Sequence, residues 1–206
     1  SVLHKEPMPQ TQTSWNTVYN ALFSAFPAEH YHRGKTLVDL AQDEHRVTAM
    51  FADGCRAEAD LLVGADGAGS SVRSRVLPGA QPGYSGYVVW RGLVDEDRLA
   101  DFAKTQLYED FVFQQDPGSL MLEYMVPGLN GSIEPGERRF NWLWYLKAAQ
   151  GPELDAVLTD RDGQRRSHSI PPGALAAEHN AYLRELGERH ANPALRELTP
   201  HTHDLS

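Results

Sequence analysis

A glycine-rich turn between an apolar run and a serine-rich helix start constrains the fold of this 206-residue chain most strongly. The segment reads DLLVGADGAGSSVRSRV and spans residues 60–76. Its apolar residues 61–63 predict a short strand buried on both faces of a parallel sheet. Three glycines follow within six residues, and they allow a sharp turn and a close approach of the backbone to a ligand.

The polar residues of the same segment predict a ligand-handling corner. Asp66 follows the predicted strand at its carboxyl end, where open α/β sheets bind ligands. Ser70 and Ser71 are good N-caps, and the free N–H groups of a first helical turn favour an anion. No Gly-Lys-Ser/Thr follows, and the order Gly-x-Asp-Gly is not the dinucleotide fingerprint Gly-x-Gly-x-x-Gly. Spacing alone therefore leaves an ordinary strand-turn-helix corner as an alternative.

The segment resembles the internal Gly-Ala-Asp-Gly-x-x-Ser-x-Val-Arg motif of single-component FAD-dependent aromatic hydroxylases, the class A flavoprotein monooxygenases. Each specified position of that motif matches, from Gly64 to Arg73. The stretches YSGYVVWRGLV (84–94), YMVPG (124–128) and GERRFNWLWY (136–145) look like the branch of that family that hydroxylates dihydroxypyridines. The resemblance covers nearly the whole chain.

The resemblance implies a cofactor, a co-substrate and a set of cofactor-binding residues. In that family FAD is reduced by NAD(P)H, and the reduced flavin uses dioxygen to hydroxylate an electron-rich ring. The motif lies near the ribose and pyrophosphate of FAD, and a branched aliphatic residue on an earlier strand passes the adenine. The residues that inherit these roles by resemblance are Leu37, Asp66, Gly67, Ser70 and Arg73.

The resemblance also implies that two parts of the family's FAD-binding fold are missing from these 206 residues. We find no Gly-x-Gly-x-x-Gly unit before Asp66 and no later Gly-Asp motif before Ser206. The expected fold is α/β (α+β), a partial Rossmann-like FAD-binding domain joined to an antiparallel substrate-domain sheet. We therefore expect an internal fragment of a longer enzyme, and we expect that fragment to be inactive by itself.

Periodicity divides the chain into three predicted parts. Residues 1–80 contain a helix from about Trp15 to Phe26, two strands at 36–41 and 47–51, and the motif. One face of the helix is apolar, so we expect that face to pack against another element. We assign residues 1–80 to the FAD-binding domain, residues 81–170 to an antiparallel substrate domain, and residues 171–206 to a helical segment that returns to the FAD domain.

Aromatic residues dominate the strands predicted between 83 and 147. Alternation places Phe140, Trp142, Trp144 and Leu146 on one face of the last strand, with Asn141, Leu143 and Tyr145 on the other. Such a sheet suits a lid over a flat ligand, although aromatic residues in strands also serve plain packing. The candidates for lining the substrate site are Trp90, Arg91, Tyr124 and Tyr145; the catalytic base is not identified.

Composition restricts the partners. A net charge of −9 leaves no basic field for nucleic acid. The single cysteine, Cys55, allows no internal disulfide, and no apolar stretch reaches the length of a membrane span, so we expect a cytoplasmic protein. The nine histidines accompany no Cys pair and no His-Glu-x-x-His, so we expect no metal site. The partner is a small aromatic substrate, and formation of a homodimer is left open.

Two other functions share part of this pattern. A halogenase or reductase of the same fold would keep the Asp66 motif but would lack the Trp90-Arg91-Gly92 and Asn141 to Tyr145 neighbourhood. A non-catalytic ligand-binding remnant would keep the aromatic sheet without flavin. The presence of bound flavin distinguishes the remnant from the enzymes.

Overall fold

The computed structural model describes residues 4–202 and 205–206. Residues 1–3 of the first predicted domain and residues 203–204 of the last therefore lie outside the described part. The chain divides into two compact units, one formed by Phe23–Tyr84 and the other by the residues before and after it. Their boundaries fall within the first helix and after Tyr84. The functional assignment of residues 1–80, 81–170 and 171–206 stays a prediction.

The smaller unit is built on a three-stranded antiparallel meander. Its strands are β1 (Leu37–Gln42), β2 (Val47–Phe51) and β3 (Arg56–Ala59), in the order β1-β2-β3. The two strands expected at 36–41 and 47–51 are thus confirmed. A short helix, α2 (Ser71–Val76), follows the glycine-rich turn and packs against β1.

The buried strand predicted at residues 61–63 is wrong. Residues 61–67 form no strand, and the side chains of Leu61 and Val63 are 76% and 73% exposed. A parallel strand needs neighbours to pair its N–H and C=O groups, and the meander provides none beside this segment among the described residues.

Helix α1 (Trp15–Ala25) is confirmed within one residue of its predicted end. The Ser14 hydroxyl accepts a hydrogen bond from the Thr17 N–H at 3.2 Å, as an N-cap does. Its apolar face was expected to pack, yet the helix has no buried residue, and Trp15 is 74% exposed. Phe23 near the end of the helix meets the Tyr31 ring edge-on at 5.0 Å, while Trp15, Val18 and Leu22 stay exposed.

The larger unit is built on a four-stranded antiparallel sheet, as the alternation predicts. Its strands are β4 (Tyr87–Asp95), β5 (Val112–Asp116), β6 (Ser119–Val126) and β7 (Arg139–Lys147), in the order β4-β7-β6-β5. Strand β7 pairs along its full length with β4, so that Trp144 lies opposite Trp90. Helix α3 (Asp101–Leu107), which the strand pattern did not reveal, buries Ala103 and Leu107.

One face of this sheet forms the core, with helices packed on it. Phe140 and Trp142 are fully buried on that face, and Trp144 is nearly so. Four C-terminal helices follow: α4 (Pro152–Val157), α5 (Ala177–His190), α6 (Pro193–Arg196) and α7 (Leu198–His201). The last three lie within residues 171–206, the segment that was expected to be helical. Their buried residues Leu183, Leu195 and Leu198 complete the core cluster.

A hydrogen bond connects the sheet to the end of α7. The Trp142 indole donates to the Thr202 hydroxyl at 2.7 Å, and that hydroxyl donates to the Leu198 carbonyl at 2.8 Å. Gly92 lies opposite Trp142 and makes room for this contact. A Cβ at Gly92 would come within 2.4 Å of the Thr202 methyl carbon.

We predict that Gly92→Ala lowers the free energy of unfolding by about 1–3 kcal/mol, the usual cost of overpacking a core. Thr202→Ser removes the clashing methyl group and keeps the hydroxyl, so it should restore part of the loss in the double variant. Urea unfolding followed by tryptophan fluorescence measures both effects. Gly79→Ala, where an added Cβ meets no atom within 4 Å, is the control. Equal stability of Gly92→Ala and the parent would contradict the packing described.

The core also contains one carboxyl group without a partner. Glu123 on β6 is fully buried opposite Trp142, and neither carboxyl oxygen has a hydrogen-bond partner among the described residues. Burial, with a smaller contribution from the charge of Asp110, raises the pKa of Glu123 to about 9. The group is therefore neutral in the folded protein at pH 7.

This raised pKa predicts a stability that falls with pH. Between the ordinary value of 4.5 and about 9, the folded state holds a proton that the unfolded state has released. The free energy of unfolding then decreases by up to about 1.4 kcal/mol per pH unit across that range. Glu123→Gln should remove this slope, so its advantage over the parent should grow from pH 5 to pH 8.5 in urea unfolding. The surface variant Glu134→Gln is the control, and identical slopes for Glu123→Gln and the parent would disprove the assignment.

Candidate functional site

The Gly-Ala-Asp-Gly turn organises itself around the carboxylate of Asp66. That carboxylate accepts hydrogen bonds from the Ser70 hydroxyl and from the N–H groups of Ser71 at 2.7 Å and Val72 at 3.2 Å. Chiefly because of the Ser70 hydrogen bond, the pKa of Asp66 lies below its ordinary value. Asp66 therefore caps the start of α2 from four residues upstream of Ser70.

The other motif residues have local partners as well. The Ser70 hydroxyl accepts from the Arg73 N–H at 2.9 Å, as an N-cap does, and the Arg73 guanidinium donates to the Ala68 carbonyl. Gly67 has a φ of +76°, a conformation that glycine adopts at little cost. A Cβ at Gly64 would come within 2.8 Å of Val72. The geometry of the turn thus explains five positions of the motif, which are Gly64, Asp66, Gly67, Ser70 and Arg73.

The turn nevertheless keeps room for a ligand. An added Cβ would meet no atom within 4 Å at Gly67 or Gly69, so the backbone there faces open space. The Arg75 guanidinium donates to the Val38 carbonyl and thereby connects α2 to β1, the strand that begins with Leu37. The five residues expected to bind the cofactor therefore belong to one unit, on β1, the turn and α2. The exposed backbone at Gly67 and the Arg73 guanidinium, which bonds to the Ala68 carbonyl through one of its N–H groups, suit the polar part of a dinucleotide.

We predict that Asp66→Ala weakens the first turn of α2. The amides of Ser71 and Val72 lose their acceptor, so their hydrogen exchange should accelerate relative to the parent at neutral pH. In the parent this protection should also decline as the pH falls below the ordinary aspartate value, because the lowered pKa of Asp66 marks a stabilising carboxylate. NMR exchange rates measure both effects, with Asp60→Ala as the control. Unchanged rates in Asp66→Ala would mean that the turn does not depend on this carboxylate.

The second candidate region is one face of the four-stranded sheet, the face opposite to the one on which Phe140, Trp142 and Trp144 of β7 are buried. We call it the open face. Strand alternation and register place on it Tyr87, Val89, Arg91 and Leu93 of β4; Asn141, Leu143 and Tyr145 of β7; Leu120, Leu122 and Tyr124 of β6; and Phe113 and Gln115 of β5.

Aromatic contacts lie at both ends of the open face. The Tyr124 ring meets Phe111 edge-on at 5.2 Å, and Phe111 lies 4.3 Å from Phe113. The Tyr145 ring lies 5.7 Å from Tyr87. Large apolar side chains stay accessible there, with Phe113 54% exposed. The face therefore presents a broad apolar surface with a few polar groups, the character of a site for a small planar ligand.

Three of the four residues expected to line the substrate site lie on the open face. They are Arg91, Tyr124 and Tyr145. Arg91 also pairs by its backbone with Ser206, with N···O distances of 2.8 and 3.1 Å. Trp90 does not join them, because it alternates to the core face, is 4% exposed and lies 5.6 Å from His179.

The sequence interpretation placed Asn141 on this face but did not include it among the site residues. Asn141 lies on the inner strand β7 between Leu93 and Tyr124, and it is half-buried. The signal that could have identified it is a single carboxamide at a position of β7 whose neighbours on the same face, Leu143 and Tyr145, are largely apolar.

Metal-binding groups and membrane-spanning helices were the two other features sought in the described part of the chain. Within residues 4–202 and 205–206, no three His, Cys, Asp or Glu side chains are grouped so that they could hold a metal ion. No helix among those residues is both long enough and apolar enough to cross a membrane.

Comparison with known proteins gives the family. Residues 84–204 match the model of the family described as FAD binding domain-like. The chain belongs to this family, and its relatives include FAD-dependent aromatic hydroxylases, so the resemblance given by the motif is confirmed. FAD is the cofactor of the family.

Two relatives and one solved structure show how far the similarity extends. The chain is 36% identical to 2,6-dihydroxypyridine 3-monooxygenase of Paenarthrobacter nicotinovorans over 85% of its own length and 43% of the relative's. It is 29% identical to salicylate hydroxylase of Pseudomonas putida over 78% of its length and 42% of the relative's. The solved structure of 2,6-dihydroxypyridine-3-hydroxylase from Arthrobacter nicotinovorans superposes with a TM-score of 0.82 at 32% identity, covering 94% of this chain and 48% of that one. The chain thus spans less than half the length of these relatives.

Proposed function

We propose that the full-length protein is an FAD-dependent monooxygenase that hydroxylates a small aromatic or hydroxypyridine ring with NAD(P)H and O2. The observation that carries this proposal is the open face, an accessible apolar and aromatic surface with hydroxyl, guanidinium and amide groups. The names of the relatives support the reaction class. FAD, when bound, supplies the redox chemistry, and the protein binds and orients the ring and excludes water.

We assign the cofactor contacts to the smaller unit. Leu37 offers apolar surface and backbone groups for the adenine, and the turn at Gly67 presents its backbone to the ribose and diphosphate. Arg73 supplies positive charge and spare donors, because its guanidinium bonds only to the Ala68 carbonyl among the residues that the structure describes. Asp66 and Ser70 hold the turn in shape through their mutual hydrogen bond. In this assignment two of the five residues shape the turn, and the other three contact the cofactor, namely Leu37, Gly67 and Arg73.

The open face provides the ring contacts. The Tyr124 and Tyr145 hydroxyls can donate to ring oxygens, and the Arg91 guanidinium favours a ring in its more nucleophilic anionic form. The apolar side chains of Leu122 and Leu143 lie between them and keep water from the ring. Trp90 supports the sheet from the core side rather than touching the ring.

The same proposal covers the setting of the protein. We infer a cytoplasmic enzyme, since the one cysteine of the chain, Cys55, is exposed and unpaired by any disulfide. Its partner is a small aromatic molecule, and the negative net charge speaks against nucleic acid. We leave the monomer and the homodimer as the two outcomes of a sedimentation measurement.

We predict that a hydroxypyridine or dihydroxybenzene accelerates NAD(P)H oxidation by the full-length protein, and that Tyr124→Phe or Tyr145→Phe lowers the share of that oxidation coupled to ring hydroxylation. A lost hydrogen bond misplaces the ring, and small misplacements reduce the yield of the oxygen transfer. Product analysis compared with hydrogen peroxide release measures coupling. Tyr182→Phe, an exposed tyrosine on α5, is the control.

Three results would count against this proposal. Purified full-length protein without flavin would favour a non-catalytic binding remnant. Flavin reduction without stimulation by any aromatic ring would favour a reductase or halogenase of the same fold. Coupling equal to the parent in both open-face variants would show that the tyrosines serve only packing.

A further inference from the structure

The open face carries one carboxamide in its interior. Asn141 lies on β7, which has a strand on each side, so neighbours flank it on both sides. Across the strands these neighbours are Leu93 and Tyr124, and Leu143 follows along β7 on the same face. An amide so placed adds polarity to a surface that packing alone would make apolar.

Within the described part of the chain, the Asn141 side chain has no hydrogen-bond partner, unlike the Arg139 and Arg91 guanidinium groups on the same face. The Arg139 guanidinium donates to the Pro127 carbonyl at 3.2 Å, and the Arg91 guanidinium to the Ser206 hydroxyl at 3.3 Å. Among residues 4–202 and 205–206, no hydrogen bond involves the Asn141 amide, which is half-buried yet still accessible. Its oxygen and its NH2 group are therefore both available to a ligand.

We propose that Asn141 determines ring specificity, pairing through its carboxamide with a ring edge that carries a hydrogen-bond donor next to an acceptor, as 2-hydroxypyridines do. This inference rests on the proposed function, because it requires that the ring binds to the open face. It adds the residue that distinguishes a nitrogen-containing ring from a benzene ring.

The chemistry of the two partners is complementary. A 2-hydroxypyridine presents either a ring nitrogen beside an O–H or, as its pyridone tautomer, an N–H beside a carbonyl oxygen. A carboxamide offers one acceptor and two donors side by side, and rotating it by 180° matches either tautomer with two hydrogen bonds. The same pairing lets Asn read the edge of adenine. A dihydroxybenzene has C–H where the pyridine has nitrogen, so it satisfies one of the two hydrogen bonds.

The sheet register places a second polar group beside the amide. Tyr124 lies directly opposite Asn141, and its hydroxyl can donate a hydrogen bond to a second oxygen atom on the ring. Tyr145 is four residues along β7, ~13 Å away by the rise of a strand. One small ring can therefore meet the Asn141–Tyr124 pair together, and the Tyr145 hydroxyl would reach that ring from farther along β7.

The test compares two rings that differ only at one atom, 2,6-dihydroxypyridine and 1,3-dihydroxybenzene. Their dissociation constants are measured by calorimetry on full-length, flavin-loaded protein without NAD(P)H. Asn141→Leu, which removes the amide at similar volume, should weaken 2,6-dihydroxypyridine by about tenfold or more and the benzene analogue by only a few-fold.

The control is Gln115→Leu, which removes an exposed amide from the same face on the edge strand β5, and it should leave the ratio of the two constants at the parent value. Flavin content and melting temperature equal to the parent show that each variant is folded. Equal weakening of both rings by Asn141→Leu, or no weakening, overturns the assignment while leaving the proposed function intact. Failure of the parent to bind either ring overturns the proposed function and this inference with it.

Discussion

The pairing of β4 with β7 is the interaction on which the larger unit depends. Nine residues of each strand pair in continuous antiparallel register. The period of two then sends Phe140, Trp142 and Trp144 into the core and leaves Asn141, Leu143 and Tyr145 on the open face. A shift of one residue would exchange the two faces. The tightly packed tryptophans therefore hold the register, and the register decides which groups can meet a ligand.

The Gly-Ala-Asp-Gly motif of the smaller unit specifies a local structure in addition to the cofactor site that we propose for it. The Asp66 carboxylate is engaged by Ser70, Ser71 and Val72, so much of the motif specifies how the turn closes onto α2. In the proposed cofactor site, the groups left for a ligand are the exposed backbone near Gly67 and the Arg73 guanidinium donors that the Ala68 carbonyl does not engage. We expect a substitution at Asp66 to act on the cofactor mainly through the shape of the turn.

Local patterns predicted most elements of the fold. The apolar spacing gave α1, and the alternation of aromatic residues gave the strands of the antiparallel sheet and the two faces of β7. The pattern failed where the outcome depends on distant residues. The run at 61–63 has the composition of a buried strand, but strand formation needs neighbours that the described chain does not provide. Trp90 was grouped with Arg91 by motif, although adjacent residues of a strand point to opposite faces.

The site was only partly visible from sequence for a related reason. Neither the burial of Glu123 without a partner nor the free amide of Asn141 can be read without knowing which strands flank them. Both are polar residues in strands whose other residues are mostly apolar. Only the strand register shows that Glu123 lies in the core and Asn141 on the open face. Glu123 is there a neutral acid enclosed by packing, while Asn141 is accessible to a ligand.

The central claim is that the ring binds on the open face. A crystal structure of the full-length, oxidised protein soaked with 2,6-dihydroxypyridine tests it most directly. We expect the ring within hydrogen-bonding distance of Asn141 and Tyr124, on the side of the sheet opposite Trp90 and Trp142. A ring bound on the helix-covered side, or away from this sheet altogether, would contradict the claim.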